Sequence, residues 1–199
     1  ASYEAGTPPN HGFIHRGVAY WTKDNMNRIF VGTLDSFLYS INSENGELDL
    51  NFSNGGKIDL REGLGRAIDN SYYGVSSPPL VCKDTVVVGS NIADWQFVPY
   101  MPPGDVRGFD AITGELKWQF HVIPHESETG SETWEDQGYL QGAGGNAWST
   151  MSCDESLGLV YLPLSSATND HYGVERLGDN LFANSIVALD VETGEREWH

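Results

Sequence analysis

Residues 185–198 read SIVALDVETGEREW, and the same pattern occurs twice earlier in the chain. A short β-branched run leads into Asp190, a turn follows with Gly194, and Trp198 closes the unit. An Asp or Asn that opens a turn can accept backbone N–H bonds, and Gly readily supplies a positive φ. The pattern therefore predicts a tight hairpin. The Trp on its second strand can pack onto a neighbouring unit and bury a large area.

The repeat indicates the architecture of the whole chain. The other copies are RIFVGTLDSFLYSINSENGELDL (28–50) and TVVVGSN (85–91) with VRGFDAITGELKW (106–118), and GLVYLPLSS (158–166) opens the last copy. The matched positions are Asn42, Asp110 and Asp190, then Gly46, Gly114 and Gly194, then Leu50, Trp118 and Trp198. The matched glycines lie 68 and then 80 residues apart. That period exceeds a simple propeller blade of roughly 40 to 50 residues, so the blades carry insertions.

We therefore predict an all-β chain that forms a partial β-propeller of about three blades with long loop insertions. Residues 1–199 form one domain, with approximate blades at 16–60, 73–125 and 145–199. A blade cannot bury both of its own faces and must stack on its neighbours. An arc of blades leaves two blade faces open, so we expect self-association through these open edges.

Composition excludes some functions. The 199 residues include 28 acidic and 11 basic side chains, which gives a net charge of −17. Phosphate binding needs a basic surface, so no nucleic-acid partner is predicted. His121 and His125 lie four apart, as do His11 and His15, but neither pair is on a predicted helix, so neither predicts a metal site. Cysteines 82 and 153 each lie in or beside an apolar strand-like run, which favours two buried thiols over a disulfide, although both readings stay open.

Unusual polar and aromatic residues occur near strand ends and in the insertions. Arg16 precedes an aromatic strand, Ser76 precedes Pro-Pro, Asp94 follows a buried strand, and Trp148 follows a Gly-rich turn. In a propeller, the beginnings of successive blades lie near the central channel, so such loops converge there. Arg binds carboxylates, Trp stacks on flat rings, and Asp binds hard cations. The combination predicts a pocket for a planar, anionic aromatic ligand with a cation.

Three motifs carry a family resemblance: HRGVAYW (15–21), GGNAWS (144–149) and ATNDHYGVERLGDNLFANSIVALDVETG (167–194). With them the chain resembles the pyrroloquinoline quinone (PQQ)-dependent dehydrogenases, which are eight-bladed propellers, and especially the glucose/quinate-dehydrogenase-like branch. The resemblance runs from about His11 to His199 and corresponds to roughly a third of a family enzyme. It implies a PQQ cofactor with calcium or magnesium, and an alcohol, sugar or polyol substrate. It further implies a quinone or cytochrome electron acceptor and a periplasmic full-length protein, for which a membrane anchor is one of the forms that the family offers.

The resemblance also assigns cofactor contacts to this sequence. The family's quinone-contacting Arg corresponds to Arg16, and a cofactor-contacting hydroxyl corresponds to Ser76. Trp148 matches the Trp that lies under the quinone, and Asn146 matches a polar contact two residues before it. Trp21 matches a pocket position that is Trp in alcohol-oxidising members and His in glucose dehydrogenases.

The metal and base positions match only in part. Asp94 stands where the methanol-oxidising members use a calcium-binding Glu, and Ser166 stands where they use Asn. The family's catalytic Asp is expected beyond His199, so we expect the chain alone not to turn over. Asp179 is interpreted as a turn residue and receives no catalytic role.

Two alternatives remain open at this stage. A non-catalytic propeller that scaffolds outer-membrane protein assembly would share the repeats without requiring Arg16, Asn146 and Trp148 around one cavity. A sugar-binding or interaction propeller would need only acidic clefts and exposed Trp side chains. Convergence of the three side chains on one cavity distinguishes the enzyme from the scaffold, and titration with PQQ and calcium, followed by Trp fluorescence, distinguishes it from a binding module.

Overall fold

The structure, a computed structural model, describes residues 14–69, 71–93 and 101–199. Its strands are β1 (Ala19–Lys23), β2 (Met26–Gly32), β3 (Phe37–Asn42), β4 (Lys57–Asp59), β5 (Tyr73–Gly74), β6 (Leu80–Cys82), β7 (Thr85–Val88), β8 (Asn91–Ile92), β9 (Val106–Asp110), β10 (Leu116–Phe120), β11 (Ser152–Asp154), β12 (Leu159–Pro163), β13 (Ile186–Asp190) and β14 (Arg196–Trp198). Two short 3-10 helices span Ser131–Thr133 and Glu135–Leu140.

The strands form three successive four-stranded antiparallel sheets, which we call blades. Blade 1 contains β1 to β4, blade 2 contains β6, β7, β9 and β10, and blade 3 contains β11 to β14. Strands β5 and β8 pair separately as a two-stranded antiparallel sheet. The first strands of neighbouring blades contact each other, β1 with β6 and β6 with β11. This arrangement confirms the predicted all-β partial propeller.

Blade 2 is buried on both faces because it lies between the other two. All four residues of β7 are buried. Val86 and Val88 contribute to the apolar core shared with blade 1, while Val87 contributes to the core shared with blade 3. Successive strand side chains point to opposite faces, so a strand between two packed layers becomes a continuous apolar run.

The repeated turns have the predicted construction. Each turn glycine has a positive φ, of 76°, 79° and 72° in chain order. Each glycine N–H donates to the carbonyl of the residue that opens its turn at 2.9 Å (Gly46 to Asn42, Gly114 to Asp110, Gly194 to Asp190). Asp190 Oδ1 also accepts backbone N–H bonds from Glu192 and Thr193, both at 2.9 Å.

The Trp after the second turn packs on the turn of blade 3. Trp118 is buried, and its indole N–H donates to the carbonyl of Val191 at 2.9 Å. In the first copy the matched Leu50 is exposed, and Phe52, two residues further on, is fully buried instead. The backbone N–H of Ser53 donates to the carbonyl of Thr113, so this segment still reaches the turn of blade 2.

The favoured expectation of two buried thiols is wrong, because Cys82 and Cys153 form a disulfide. Cys82 ends β6 and Cys153 lies in β11, and these first strands of adjacent blades are in contact. The two cysteines are 71 residues apart in sequence and come together only because the blades stack, so the sequence alone did not indicate the pairing.

The insertion between blades 2 and 3 includes the two 3-10 helices and covers part of the core. Although the insertion is mostly polar in sequence, its Trp134 is only 3% exposed, and the indole N–H donates to the carbonyl of Leu181 at 2.6 Å. Neither helix in the described ranges has the length and apolar character needed to cross a membrane.

Candidate functional site

A cavity of about 350 Å³ and another of about 250 Å³ open on this scaffold, and the smaller one is lined by three of the five predicted cofactor residues. Its wall comes from the segment before β1, from β8, from the insertion after β10 and from the loop after β12. The lining residues are Ile14, Arg16, Asn91, Ile92, Asn146, Trp148 and Asp170. Arg16, Asn146 and Trp148, which are far apart in sequence, thus meet around one cavity.

Ser76 does not line this cavity but holds two of the side chains that do. Its side chain is fully buried, and its Oγ accepts bonds from Arg16 Nη1 at 2.7 Å and from Asn91 Nδ2 at 3.0 Å. The backbone N–H of Arg16 also donates to the carbonyl of Ser76 at 3.1 Å. The hydroxyl assigned as a cofactor contact is therefore placed behind two cavity side chains, outside the lining.

The Gly-rich turn sets the opposite wall. Gly144 and Gly145 both have positive φ, of 70° and 69°. The chain that follows directs Asn146 so that its Nδ2 donates to the carbonyl of Ser90 at 2.6 Å, and Asn146 is 1% exposed. Trp148 remains 43% exposed, and the Arg16 guanidinium lies 5.2 Å from the centre of its ring. A cation and a flat aromatic surface thus lie side by side at the cavity.

Asp170 is a cavity residue that the sequence analysis missed. One carboxylate oxygen, Oδ1, is buried without a hydrogen-bond partner among the described residues. Burial raises the pKa of this carboxyl, although His171, Arg176 and the Ser166 hydroxyl oppose the rise. An acidic residue four positions after Ser166 in the insertion was the available signal, but no repeat position marked it.

The proposed metal residues are placed only in part. Ser166 is half-buried next to Asp170, where its Oγ accepts from Arg176 Nη2 at 3.3 Å. It is not among the residues that line the cavity. Asp94 lies outside the described residues, so its metal role stays a prediction.

Trp21 does not line this cavity, and its expected pocket role stays a prediction. Trp21 is 4% exposed and belongs to the core between blades 1 and 2, away from the cavity lining. Its indole N–H donates to Asp84 Oδ1 at 3.1 Å, and the Arg28 guanidinium lies 5.6 Å from its ring. The residue is held by the neighbouring blade because β1 directs this side chain into the interblade core.

The donors around the cavity fit a planar aromatic anion. Arg16 offers a guanidinium, which suits a carboxylate. Trp148 offers a partly exposed ring for stacking, and Asn146 lies beside it. The unpartnered oxygen of Asp170 suits a hard cation that prefers oxygen ligands. These residues therefore fit PQQ together with a cation.

Comparison with known proteins identifies the same class. The family described as "PQQ: Glucose/ethanol/alcohol dehydrogenase, beta-propeller domain" matches residues 3–199. The glycerol dehydrogenase large subunit of Gluconobacter oxydans is 34% identical over 194 residues, covering 92% of this chain and 25% of that protein. The quinate/shikimate dehydrogenase (quinone) of Acinetobacter baylyi is 33% identical over 172 residues, covering 86% and 21%.

A solved structure agrees with the fold. The quinohemoprotein alcohol dehydrogenase of Comamonas testosteroni superposes with a TM-score of 0.78 at 27% identity, covering 99% of this chain and 29% of that one. The chain belongs to the β-propeller family of PQQ-dependent dehydrogenases. It spans about a quarter of the length of the curated relatives that it matches.

Proposed function

We propose that the complete protein containing this chain oxidises an alcohol, sugar or polyol with PQQ, and that this chain forms part of the cofactor cavity. The similarity to glycerol and quinate/shikimate dehydrogenases supports the reaction class. The observation that carries the proposal is the convergence of Arg16, Asn146 and Trp148 on one cavity. Neither a scaffolding propeller nor a plain interaction propeller requires that convergence.

Each cavity side chain has a role in this proposal. Arg16, held in place by Ser76, binds a carboxylate of the cofactor. Trp148 stacks on the ring system, and Asn146 orients a polar edge. PQQ, when bound, would supply the two-electron acceptor for the hydride that leaves the substrate carbon.

A calcium or magnesium ion completes the proposed cavity. Asp170 contributes a carboxylate at the cavity, and Ser166 and Asp94 are the candidates that the resemblance assigned. The oxygen donors of these side chains match the preference of both cations. Within the described ranges Asp170 Oδ1 has no hydrogen-bond partner, which supports a cation on this side of the cavity.

The cellular setting follows from the same family. We place the complete protein in the periplasm, with electrons passing to a quinone or a cytochrome. The disulfide between Cys82 and Cys153 supports this location, because such bonds persist in oxidising compartments.

Calorimetric titration with PQQ in excess calcium tests the proposal. We expect micromolar or tighter binding, and Trp148→Ala should weaken it by about tenfold because stacking is lost. Leu157→Ala is the control, because Leu157 is exposed, at 65%, in the turn between β11 and β12 and does not line the cavity. Absence of PQQ binding by the folded protein, or equal affinity in both variants, would contradict the proposal.

A further inference from the structure

A cluster of nitrogen and oxygen donors lies just after β10. His121, His125 and Glu128 place their possible ligand atoms within 4.8 Å of one another. His121 Nδ1 lies 3.0 and 3.1 Å from the two carboxylate oxygens of Glu128. The two imidazole rings stack with their centres 3.8 Å apart. The histidine pair, for which the sequence predicted no metal, is therefore joined by a third donor.

The turn that builds this cluster is held by its own hydrogen bonds. The backbone N–H of His125 donates to Glu128 Oε2 at 2.7 Å. The same carboxylate therefore contacts the ring of His121 and the backbone of His125 at once.

A buried acid next to the cluster favours positive charge there. Asp105 is 3% exposed, and its Oδ2 accepts from Gln119 Nε2 at 2.7 Å. Its Oδ1 is buried without a hydrogen-bond partner among the described residues. Gln119, which holds this carboxyl, lines the same cavity as His121 and Glu128. A cation on the histidines would offset the cost of burying Asp105.

The cluster opens into its own cavity. His121 and Glu128 line the cavity of about 350 Å³, together with Phe182 and Arg196, and this cavity shares no lining residue with the one around Arg16. An ion held by three protein donors would face this space. Water would then fill a remaining coordination position, as in open zinc sites.

We propose that His121, His125 and Glu128 bind one divalent transition-metal ion, with Zn²⁺ as the best match to two imidazoles and a carboxylate. Calcium and magnesium prefer oxygen donors throughout, so they suit this cluster less well. Ligand atoms around a tetrahedral zinc ion are about 3.3 Å apart, a spacing that His121 and Glu128 already approach. The His125 ring is exposed, so it has room to turn and bring a nitrogen from within 4.8 Å to this spacing. The ion would fasten the beginning of the insertion to the end of β10.

The test is calorimetric titration of the chelator-treated protein with Zn²⁺ in the presence of excess calcium, which fills sites made of oxygen donors. We expect one zinc per chain with a Kd of about micromolar or tighter. Co²⁺ as a probe should give the visible absorption bands of a four-coordinate site with nitrogen ligands. Absence of zinc binding to the folded protein would overturn the proposal.

Variants locate the ion. His121→Ala and Glu128→Gln should each weaken zinc binding by at least about tenfold. Glu126→Gln is the matched control, because Glu126 is exposed two residues away and is not part of the cluster. Unchanged affinity in both cluster variants would contradict the assignment.

A second measurement avoids dependence on variant folding. Zinc should protect His121 and His125 of the unaltered protein from acylation by diethyl pyrocarbonate, as read by peptide mass spectrometry, while the exposed His171 should remain reactive. Protection of His171 instead would place the ion elsewhere and overturn the proposal.

Discussion

Ser76 shows how one buried hydroxyl shapes a cavity that it does not line. Its Oγ is the shared acceptor for Arg16 and Asn91, at 2.7 and 3.0 Å. Without it, Arg16 and Asn91 each lose one hydrogen bond at the cavity wall. Water can replace part of this bonding at Arg16, because that side chain is exposed.

Ser76→Ala should therefore cost about 1 kcal/mol of unfolding free energy and also weaken PQQ binding. Ser77→Ala is the matched control, since Ser77 is equally buried but its hydroxyl has no hydrogen-bond partner within the described residues. Urea unfolding and PQQ titration of both variants measure the effect. Equal losses in the two variants would show that Ser76 acts only as a packed side chain.

Asp105 gives a residue-scale prediction about pH. Burial raises the pKa of its carboxyl, against the lowering influence of Gln119 and the nearby histidines. The unfolded chain therefore releases this proton at lower pH than the folded chain does. The stabilising contribution of the protonated form is complete below the unfolded pKa and is lost as pH rises through the folded pKa.

Asp105→Asn removes this titration. The stability of the variant relative to the natural chain should rise with pH from about 4 towards neutrality. Urea unfolding across that range, in zinc-free buffer, provides the measurement. A difference that stays constant with pH would contradict the expected linkage.

The repeated hairpin turn is the element that specifies how the blades stack. Gly194 and Gly46 occupy the same position with nearly the same φ, 72° and 76°. A Cβ at Gly194 would lie 2.6 Å from Trp118 Cγ, whereas a Cβ at Gly46 would meet nothing within 4 Å. The two glycines thus share the backbone requirement but differ in the neighbouring aromatic ring.

Gly194→Ala should destabilise the protein by about 1–3 kcal/mol more than Gly46→Ala, because only the former displaces a packed indole. Both variants lose free energy of unfolding because of the positive φ, so the difference between them in denaturant unfolding measures the cost of displacing Trp118. Similar losses would mean that Trp118 can move aside freely.

Sequence reasoning succeeded where the repeat constrains the chain. The turn glycines and Trp118 were predicted because identical spacing demands identical geometry. Leu50 was matched by spacing alone, and the structure buries Phe52 in its place because that segment approaches the turn of blade 2 two residues later. The spacing of the repeat thus predicts approximately where a buried residue occurs after the turn, but the packing of the blades determines which side chain is buried.

At the scale of the whole molecule, contacts between blades explain what the sequence did and did not predict. Arg16, Asn146 and Trp148 could be assembled in advance because the resemblance supplied their positions in the ring. Asp170 lies in an insertion, where no periodicity relates sequence to location. Trp21 was assigned to the pocket by the same resemblance, and its indole donates to Asp84 of the next blade.

The disulfide is a covalent contact between blades, and it joins two residues that are 71 positions apart in blade 2 and blade 3. Closing a loop of this length restricts the unfolded chain and should stabilise the folded state by about 4 kcal/mol. The double variant Cys82→Ala/Cys153→Ala should therefore unfold at lower urea concentration than the natural chain. Its unfolding slope should also be steeper, because the unfolded chain can expand further.

The redox dependence provides the control for this prediction. A reducing agent should lower the urea midpoint of the natural chain and leave that of the double variant unchanged. Stability that is insensitive to reduction in the natural chain would mean that apolar packing alone holds the two blades together. If reduction lowers the urea midpoint of the natural chain alone, the stability of blades 2 and 3 depends on the covalent link between their first strands, which joins Cys82 of β6 to Cys153 of β11.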